Sequence, residues 1–397
     1  MGLKYDILAI NARCKIDAAN GNKVINGCVG TYRNDKHQLV GFDTVKKNLK
    51  DFSSMFLDYS PIFGTKKYQD GILKWLFEDK YEDVSKKDNL FVAATLGGTG
   101  ALYSVFKYLS KQNSVVLFSD ICWPNYFSIS DEAKIKYDTY PLFKNNEFNF
   151  EALAQKIDQY ACMHQKVLVV INDPCQNPSG YSFVKEEYDK LFEIIEKINK
   201  VFPHKVEVLF DIAYYNYADG KPLLLDYLMN DYSYNIYVAF SCSKTFGVYG
   251  MRSGAIITFC YSAGEKDIFK ESIEHITRGT FSCPNNDAIG VFGEILNDCY
   301  ETEEIKKELL IEKHILVQRG IHALEIMKQY GIAYLPYHYG FFITISTKED
   351  AYMLCEALEK EHIYVCPISD HLLRLAICSV TLEEVEIFTK FLSVLDK

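Results

Sequence analysis

This sequence has no excess of positively charged residues. It has 43 lysines and arginines against 53 aspartates and glutamates, which gives a formal net charge of −10. Because a nucleic-acid-binding protein needs a basic field to meet phosphates, this balance argues against nucleic acid as a partner. No uncharged apolar stretch reaches the roughly 20 residues that a membrane-spanning helix needs, so we expect no membrane partner either.

A targeting signal and paired metal-ligand cysteines are also missing. The opening residues, MGLKYDILAI, have neither a basic segment nor a long apolar one, which predicts no secretory signal and a cytoplasmic location. The 12 cysteines include no C-x-x-C, although zinc ligands usually come as closely spaced pairs. We therefore expect reduced, mostly buried thiols and no metal site.

Short apolar runs alternate with helical segments through the first two-thirds of the chain. Most of these runs lack strict alternation, which is typical of strands that are buried on both faces. Segments with helical apolar spacing, such as residues 185–201, lie between them. The pattern predicts an α/β fold with a doubly wound, mostly parallel sheet. The runs are residues 90–95, 114–119, 166–172, 205–211, 235–241 and 255–260.

The last hundred residues have a different pattern. A long helical stretch runs from about residue 300 to residue 330 and ends at Gly331. Two strand signals follow, at residues 340–346 and 372–377, with amphipathic helices after each. We expect a second, smaller α+β domain here.

Polar motifs follow five of the predicted strands. They read L-G-G-T-G, C-W-P-N-Y, D-P-C-Q-N-P-S-G, D-I-A-Y-Y and S-C-S-K in chain order. The carboxyl ends of parallel strands lie at one edge of a sheet, and ligands bind in the crevice there. The sequence therefore predicts that all five motifs converge on one site, as in an enzyme.

Each motif taken alone leaves an alternative open. The glycines at 97, 98 and 100 suit either a phosphate cradle or a tight turn. Asp211 could face a cation or cap a helix, and Lys244 could be a desolvated nucleophile or a surface residue. Arg374 lies within an apolar strand signal, L-L-R-L-A-I, where a guanidinium calls for an anion.

The order of the motifs resembles a known family. G-G-T-G-A, W-P-N-Y, N-P-S-G, D-I-A-Y and S-x-S-K follow one another, with R-S-G eight residues after the lysine and I-N-G-C-V-G-T-Y-R near the start. This order is similar to that of the class I, fold type I aminotransferases that use pyridoxal 5'-phosphate (PLP), in their aspartate/aromatic branch. The resemblance covers nearly the whole chain.

The resemblance implies a domain division, a reaction and partners. Residues 46–299 would form the large PLP-binding domain. Residues 1–45 and 300–397 would supply the N-terminal segment, the interdomain helix and the C-terminal part of the small domain. The substrates would be a 2-oxo acid and an L-amino acid, dicarboxylic such as aspartate or glutamate with aromatic ones also open, and they would react by a ping-pong mechanism. The protein would be a homodimer with shared active sites.

The resemblance also implies roles at the cofactor ring. Lys244 would hold PLP as a Schiff base and move the α-proton. Asp211 would keep the pyridine nitrogen protonated. Tyr214 and Asn177 would hydrogen-bond the phenolic oxygen, and Trp123 would stack on the ring. Asn177 and Trp123 would also border the substrate.

Phosphate and substrate contacts follow from the same resemblance. Arg374 would clamp the substrate α-carboxylate, and Arg278 from the partner subunit would bind a distal carboxylate. Gly30 would let the N-terminal segment close over the substrate. The phosphate would be held by Gly98, Thr99, Ser241, Ser243 and Arg252, with Tyr59 reaching across from the partner subunit.

Four positions depart from the family pattern. Gly97 stands where the branch often has serine, and Tyr126 replaces the histidine common after W-P-N. Asp173-Pro174 replaces a histidine-containing stretch, and Cys283 stands where asparagine is usual. These differences leave the PLP chemistry in place and bear on its tuning and on the range of substrates.

Two other functions share this fold. A PLP-dependent carbon–sulfur β-lyase would use the same lysine, aspartate and arginine, and Arg278 weighs against it. A non-catalytic PLP-binding regulator would carry a DNA-binding domain. No helix-turn-helix extension precedes the fold, and the net charge is unsuited to DNA.

Overall fold

The structure is a computed structural model that describes residues 5–52, 58–163, 165–220 and 222–397. Strands and helices alternate along it, as the pattern of apolar runs predicts. The strands are β1 Ile25–Asn26, β2 Leu90–Thr95, β3 Ser114–Ser119, β4 Lys136–Tyr140, β5 Phe143–Lys144, β6 Glu147–Phe148, β7 Lys166–Asn172, β8 Val206–Asp211, β9 Ile236–Ser241, β10 Gly254–Phe259, β11 Ala333–Tyr334, β12 Phe342–Ser346, β13 Ile363–Tyr364, β14 Cys366–Ser369 and β15 Leu372–Ala376.

The helices cover both faces of the main sheet and link it to the C-terminal part of the chain. The longest has 31 residues, from Cys299 to Gln329. The helices are α1 Ile7–Ala19, α2 Asp43–Phe52, α3 Lys66–Phe77, α4 Tyr81–Val84, α5 Gly97–Leu109, α6 Asn125–Ala133, α7 Phe150–Cys162, α8 Lys185–Val201, α9 Leu224–Tyr227, α10 Cys242–Thr245, α11 Ala263–Thr280, α12 Asn286–Ile295, α13 Cys299–Gln329, α14 Ala351–Lys360 and α15 Leu382–Leu395.

The main sheet has seven strands in the order β2-β10-β9-β8-β7-β3-β4. β10 runs antiparallel to both of its neighbours, and the other pairs are parallel. Successive residues of β3 alternate between two apolar clusters: Val115 and Leu117 face one, and Val116 and Phe118 face the other. Burial on both faces explains why such strands read as continuous apolar runs. The predicted doubly wound α/β fold is confirmed.

A smaller set of strands gathers both ends of the chain. β11, β12, β15 and β14 form an antiparallel sheet, and β1 pairs in parallel with β13. The register of that second pair places Ile25 opposite Ile363. The N-terminal segment is thereby joined to the C-terminal sheet, and α13 connects this part to the main sheet. The domain boundaries at residues 45 and 299 stay predictions.

Two further findings concern the absences noted in the sequence. Among the residues that the structure describes, no helix combines the length and apolar character needed to cross a membrane. All 12 cysteines lie in the described ranges, none is in a disulfide, and most are buried.

Candidate active site

An open cleft of about 400 Å³ lies at the carboxyl edge of the main sheet. Residues that follow β2, β3, β7, β8 and β9 all contribute to it, which is the convergence that the five polar motifs predict. Its lining residues are Gly98, Thr99, Leu102, Trp123, Asn172, Asn177, Asp211, Ala213, Tyr214, Ser241, Lys244 and Arg252.

Asp211 ends β8 at the floor of the cleft and is only 4% exposed. Its Oδ2 accepts a hydrogen bond from the Tyr126 hydroxyl at 2.7 Å, and its Oδ1 accepts one from the Ala213 amide at 3.2 Å. Burial raises the pKa of Asp211, while the bond from Tyr126 and the charge of Lys244 oppose that shift. No lysine or arginine of the described chain lies within 4.0 Å of this carboxylate, so it has no ion-pair partner in contact.

Lys244 lies in α10, directly after β9, and is partly buried. Burial lowers the pKa of its ammonium group, although the nearby charge of Asp211 raises it again. Its Nζ lies 6.0 Å from the centre of the Tyr249 ring. A desolvated lysine with a lowered pKa has more of the neutral, nucleophilic amine, so the surface alternative for Lys244 is wrong.

The amino end of α5 forms one wall of the cleft with the end of β9. The first N–H groups of a helix lack partners within the helix and favour an anion. Gly98 passes close to Ser241, since a Cβ on Gly98 would lie 3.4 Å from the Ser241 Cβ. Arg252 adds a positive charge, and its Nη1 donates to the Ser243 hydroxyl at 3.3 Å.

Gly97 precedes this wall in a left-handed conformation, with φ of +70°. A Cβ at this position would lie 2.8 Å from Nη2 of Arg252. Glycine therefore suits this position in two ways: it adopts the left-handed conformation without strain, and it leaves the end of the Arg252 side chain in place.

Arg374 lies on β15 and is 2% exposed. Its Nη1 donates to Oδ1 of Asn177 at 3.1 Å, and its Nη2 donates to the carbonyl of Cys28 at 2.7 Å. Its Nε has no hydrogen-bond partner. The guanidinium also lies over the Phe342 ring, 4.4 Å from its centre. In the described part of the chain this buried cation has no carboxylate partner.

Gly30 brings the N-terminal segment against the same ring. A Cβ on Gly30 would lie 2.4 Å from Cζ of Phe342, so a side chain here would push the segment away from Arg374. Tyr214 also packs on Phe342, with ring centres 5.8 Å apart.

A family model for "Aminotransferase class I and II" matches residues 22–392. The chain belongs to this family. It is a PLP-dependent aminotransferase, as the order of its motifs indicates. This finding confirms the enzyme class, the general reaction and the cofactor, and it leaves the preferred substrates open.

Individual relatives show how far the similarity extends. The aromatic-amino-acid aminotransferase of Paracoccus denitrificans is 26% identical over 58% of this chain and 57% of its own length. The mitochondrial aspartate aminotransferase of Arabidopsis thaliana is 25% identical over 75% of this chain and 68% of its own. The crystal structure of an aminotransferase from Anaerococcus prevotii superimposes with a TM-score of 0.91 at 27% identity, covering 98% of this chain and 96% of that one.

The cleft of this aminotransferase fits PLP. It offers a buried carboxylate, a lysine with a lowered pKa and a glycine-lined helix start beside an arginine. These groups match the ring nitrogen, the aldehyde carbon and the phosphate of the cofactor.

Three cleft residues of this aminotransferase were not predicted from the sequence, namely Leu102, Asn172 and Ala213, and Asn172 is the one with a polar side chain. Asn172 ends β7 directly beside Asp211, and its Nδ2 donates to the Asp211 carbonyl at 2.8 Å. The signal was available, since Asn172 ends a strand just before the D-P-C-Q-N-P-S-G motif.

Five predicted site residues do not line the cleft of this chain, namely Gly30, Tyr59, Ser243, Arg278 and Arg374. Ser243 contacts Arg252 of the lining and Arg374 contacts Asn177, whereas Tyr59 and Arg278 are exposed. Tyr59 is 85% exposed. Arg278 lies in the last turn of α11, its side chain 67% exposed and its Nε 3.0 Å from Glu274. Their roles across a subunit boundary stay predictions.

Proposed function

We propose that this aminotransferase takes aspartate or glutamate as its preferred amino donor, with aromatic amino acids as further donors, and passes the amino group to a 2-oxo acid in a second half-reaction. The observation that supports transamination is the buried guanidinium of Arg374, which lacks an anionic partner in the described part of the chain. The preference for a dicarboxylic donor rests on Arg278, whose side chain is 67% exposed in the last turn of α11. Every amino acid and 2-oxo acid of such a pair has the carboxylate that would meet it.

Arg374 is prepared for that carboxylate by its neighbours. Asn177 and the Cys28 carbonyl each hold one terminal nitrogen, which fixes the plane of the guanidinium. A buried donor without a partner costs about 1–3 kcal/mol, and a bound carboxylate would recover this cost at Nε. The planar fork of arginine also allows two parallel hydrogen bonds, which a lysine would not give.

Lys244 would serve as the base that moves the substrate proton. Its lowered pKa leaves more of the amine neutral and able to accept a proton from the substrate Cα. PLP, when bound, supplies the electron sink that accepts the negative charge left on that carbon. Asp211 would set a negative charge against the ring nitrogen.

The remaining cleft residues would hold and orient the cofactor. Trp123, Asn177 and Tyr214 would border the ring. Asn177 also contacts Arg374, so it would connect the cofactor with the substrate clamp. The phosphate would be held by the amides of Gly98 and Thr99, the hydroxyls of Thr99, Ser241 and Ser243, and the guanidinium of Arg252.

A homodimer would complete the site with two residues from the partner subunit. Tyr59 would reach the phosphate, and Arg278 would bind the distal carboxylate of a dicarboxylic substrate. The exposure of both side chains supports this proposal, because each is available to a second subunit. A protein that sediments as a monomer while fully active would contradict it.

Removing the Arg278 side chain tests the substrate preference. Conversion of bound PLP to its pyridoxamine form is followed by absorbance with aspartate, glutamate and phenylalanine in turn. Arg278→Ala should lower kcat/KM for aspartate by about 30-fold or more, because a desolvated ion pair is lost. Phenylalanine makes no such pair and should lose much less.

A matched arginine elsewhere controls for the change itself. Arg13 forms an ion pair with Glu359 on α14 and lines no part of the cleft, so Arg13→Ala should leave both substrates unaffected. Equal losses for aspartate and phenylalanine in Arg278→Ala would contradict the role of Arg278. A wild-type enzyme that ignores both dicarboxylates would contradict the preference.

We also propose a cytoplasmic location. The unpaired state of all 12 cysteines supports it, since proteins of oxidising compartments usually pair theirs. Fractionation of the source cells, with the protein detected by antibody, tests it.

A further inference from the structure

The proposed mechanism does not say which group stabilises the charged form of the Asp211 carboxylate. A buried carboxylate tends to take up a proton unless a cation or hydrogen-bond donors stabilise its charged form. The donors to Asp211 within the described residues are the Ala213 amide and the Tyr126 hydroxyl. Tyr126 is therefore the one side chain there that holds this carboxylate by a direct hydrogen bond.

Tyr126 is held in position by its surroundings. It lies in the first turn of α6 and is fully buried. Its ring packs edge-on against Trp123, with centres 5.6 Å apart, and in a tilted arrangement against Phe118, with centres 5.7 Å apart. Because the ring is wedged between these two, the hydroxyl has one direction in which to donate.

Burial and the neighbouring charge of Asp211 raise the pKa of the Tyr126 phenol well above its ordinary value. The hydroxyl consequently keeps its proton and stays neutral throughout the range in which enzymes work. A histidine at this position would instead change its charge between about pH 5 and 8.

We propose that Tyr126 is a positioning residue that keeps Asp211 ionised without neutralising it, so that the full negative charge faces the cofactor ring nitrogen at every working pH. The inference rests on the proposed role of Asp211. Tyr126 itself would touch neither cofactor nor substrate. It acts through the carboxylate.

Other titratable groups lie close to Tyr126 and Asp211 and could also make PLP binding depend on pH. Lys244 faces Asp211 across the cleft, and its pKa is lowered by burial. Cys122 and Tyr214 face Tyr126, and burial raises the pKa of both. Neither Cys122 nor Tyr214 gains charge near neutrality. Asp173 borders the same internal cavity as Tyr126, and burial raises its pKa to about 7. Because Asp173 is present in both wild type and variant, its titration cancels in the ratio of their dissociation constants.

Two substitutions test the proposal with readouts other than activity. The dissociation constant for PLP is measured by reconstitution of the cofactor-free protein, and the protonation of the ring nitrogen is followed by the 15N shift of labelled PLP. Tyr126→Phe should weaken PLP binding by about 10-fold or more, since a buried acceptor loses its donor. The 15N shift at neutral pH should also move toward that of the unprotonated ring, because a carboxylate that has lost a donor is a stronger base and draws the shared proton from the ring nitrogen.

Tyr126→His tests whether a positive charge at this position weakens PLP binding. As the pH falls from 8 to 5, the imidazole gains a proton and offsets the charge of Asp211. The ratio of its dissociation constant to that of wild type should therefore rise toward low pH. A role in packing alone would give a ratio that does not change with pH.

Tyr140 provides the matched control. It is also fully buried and borders the same internal cavity as Tyr126, but it does not contact Asp211. Tyr140→Phe should leave both readouts unchanged.

The outcomes separate the proposal from the function on which it rests. If wild type binds PLP and Tyr126→Phe matches it within about 2-fold in both readouts, the role of Tyr126 is overturned. If Tyr126→Phe does not fold, the pH ratio of Tyr126→His decides, and a flat ratio overturns it. If wild type fails to hold PLP at Lys244, the proposed function itself fails.

Discussion

Strand β8 carries two buried carboxylates whose surroundings differ. Glu207, near its start, is 1% exposed and lies 2.6 Å from Nζ of Lys166. Glu207 also accepts hydrogen bonds from the Asn235 amide and the Tyr237 hydroxyl, each at 2.9 Å. Asp211, at the other end, has two neutral donors and no cation in contact. One carboxylate has a cation and two further donors from the protein, and the other has no cation in contact within the described chain and faces the cleft.

The two buried arginines of the small domain region differ in the same way. Arg319 donates to the carbonyls of Arg33 and Ile377 and pairs with Asp35 at 3.1 Å. Arg374 has no such acid and an unpaired Nε. Burial alone therefore does not identify a functional charge in this molecule. A buried charged group whose hydrogen bonds or charge are not satisfied by the protein is the better indicator, because such a group destabilises the fold unless a ligand binds it.

Replacing the lysine near each of the two carboxylates should have opposite effects, one on activity and the other on stability. Lys244→Ala should reduce transamination by about 10³- to 10⁴-fold, the range expected when a general base is lost. Its unfolding free energy should change by less than about 1 kcal/mol, because the lysine makes no ion pair in contact. Steady-state kinetics and urea unfolding measure the two effects. Borohydride fixation of the cofactor at any other lysine would contradict the assignment.

Lys166→Ala should have the opposite effect. It leaves Glu207 buried without its cation, which costs about 3–5 kcal/mol of stability. The kcat/KM should stay within about 3-fold of wild type, since the pair lies at the far end of the strand from the cleft. The double variant with Glu207→Gln should recover part of the loss in urea unfolding. An unchanged urea midpoint in the single variant would show that the pair is not needed for stability.

Strand ends are the part of the site that could be predicted from sequence. The motifs that follow β2, β3, β7, β8 and β9 meet at one edge in the structure, because parallel strands must end together. The apolar runs predicted these strands because the sheet is covered on both faces. β4 was not predicted, since it is a polar edge strand with exposed residues.

Contacts between side chains that are distant in sequence could not be predicted. Tyr126 and Asp211 are 85 positions apart, and their hydrogen bond depends on how α6 packs on the sheet. Likewise, one reason for glycine at 97 lies in the position of Arg252, which no local pattern reveals. Tyr59 and Arg278 are a different case, because their predicted roles require a second subunit.

A third buried acid, Asp173, is also held by neutral hydrogen-bond donors. Its carboxylate accepts from the Phe183 amide at 2.7 Å and from the Tyr188 hydroxyl, and burial raises its pKa to about 7. A raised pKa means that the folded state binds the proton more tightly than the unfolded state. Stability linked to Asp173 is therefore complete below about pH 4 and is lost as the pH rises toward 7.

Asp173→Asn removes this titration while keeping an oxygen for the Phe183 amide. Relative to the variant, wild type should lose about 2–3 kcal/mol of unfolding free energy between pH 5 and 7, at about 1.4 kcal/mol per pH unit. Urea unfolding at several pH values measures the difference. Parallel pH profiles for the two proteins would show that Asp173 titrates as an ordinary acid.

Two glycines with the same backbone conformation give the smallest expected effect. Gly97 and Gly331 both have φ of +70°, but a Cβ on Gly331 would meet nothing within 4 Å, whereas one on Gly97 would lie 2.8 Å from Arg252. Alanine at either position should cost about 1–2 kcal/mol of stability, because the left-handed conformation is unfavourable for any residue with a Cβ. Only Gly97→Ala should also move Arg252, and it should weaken PLP binding by roughly 3- to 5-fold, as expected for an exposed charge contact. Gly331→Ala should keep the wild-type affinity, which separates backbone strain from the effect on the cofactor. Equal affinities in the two variants would mean that Arg252 accommodates a side chain at 97, and that the glycine there serves the turn alone.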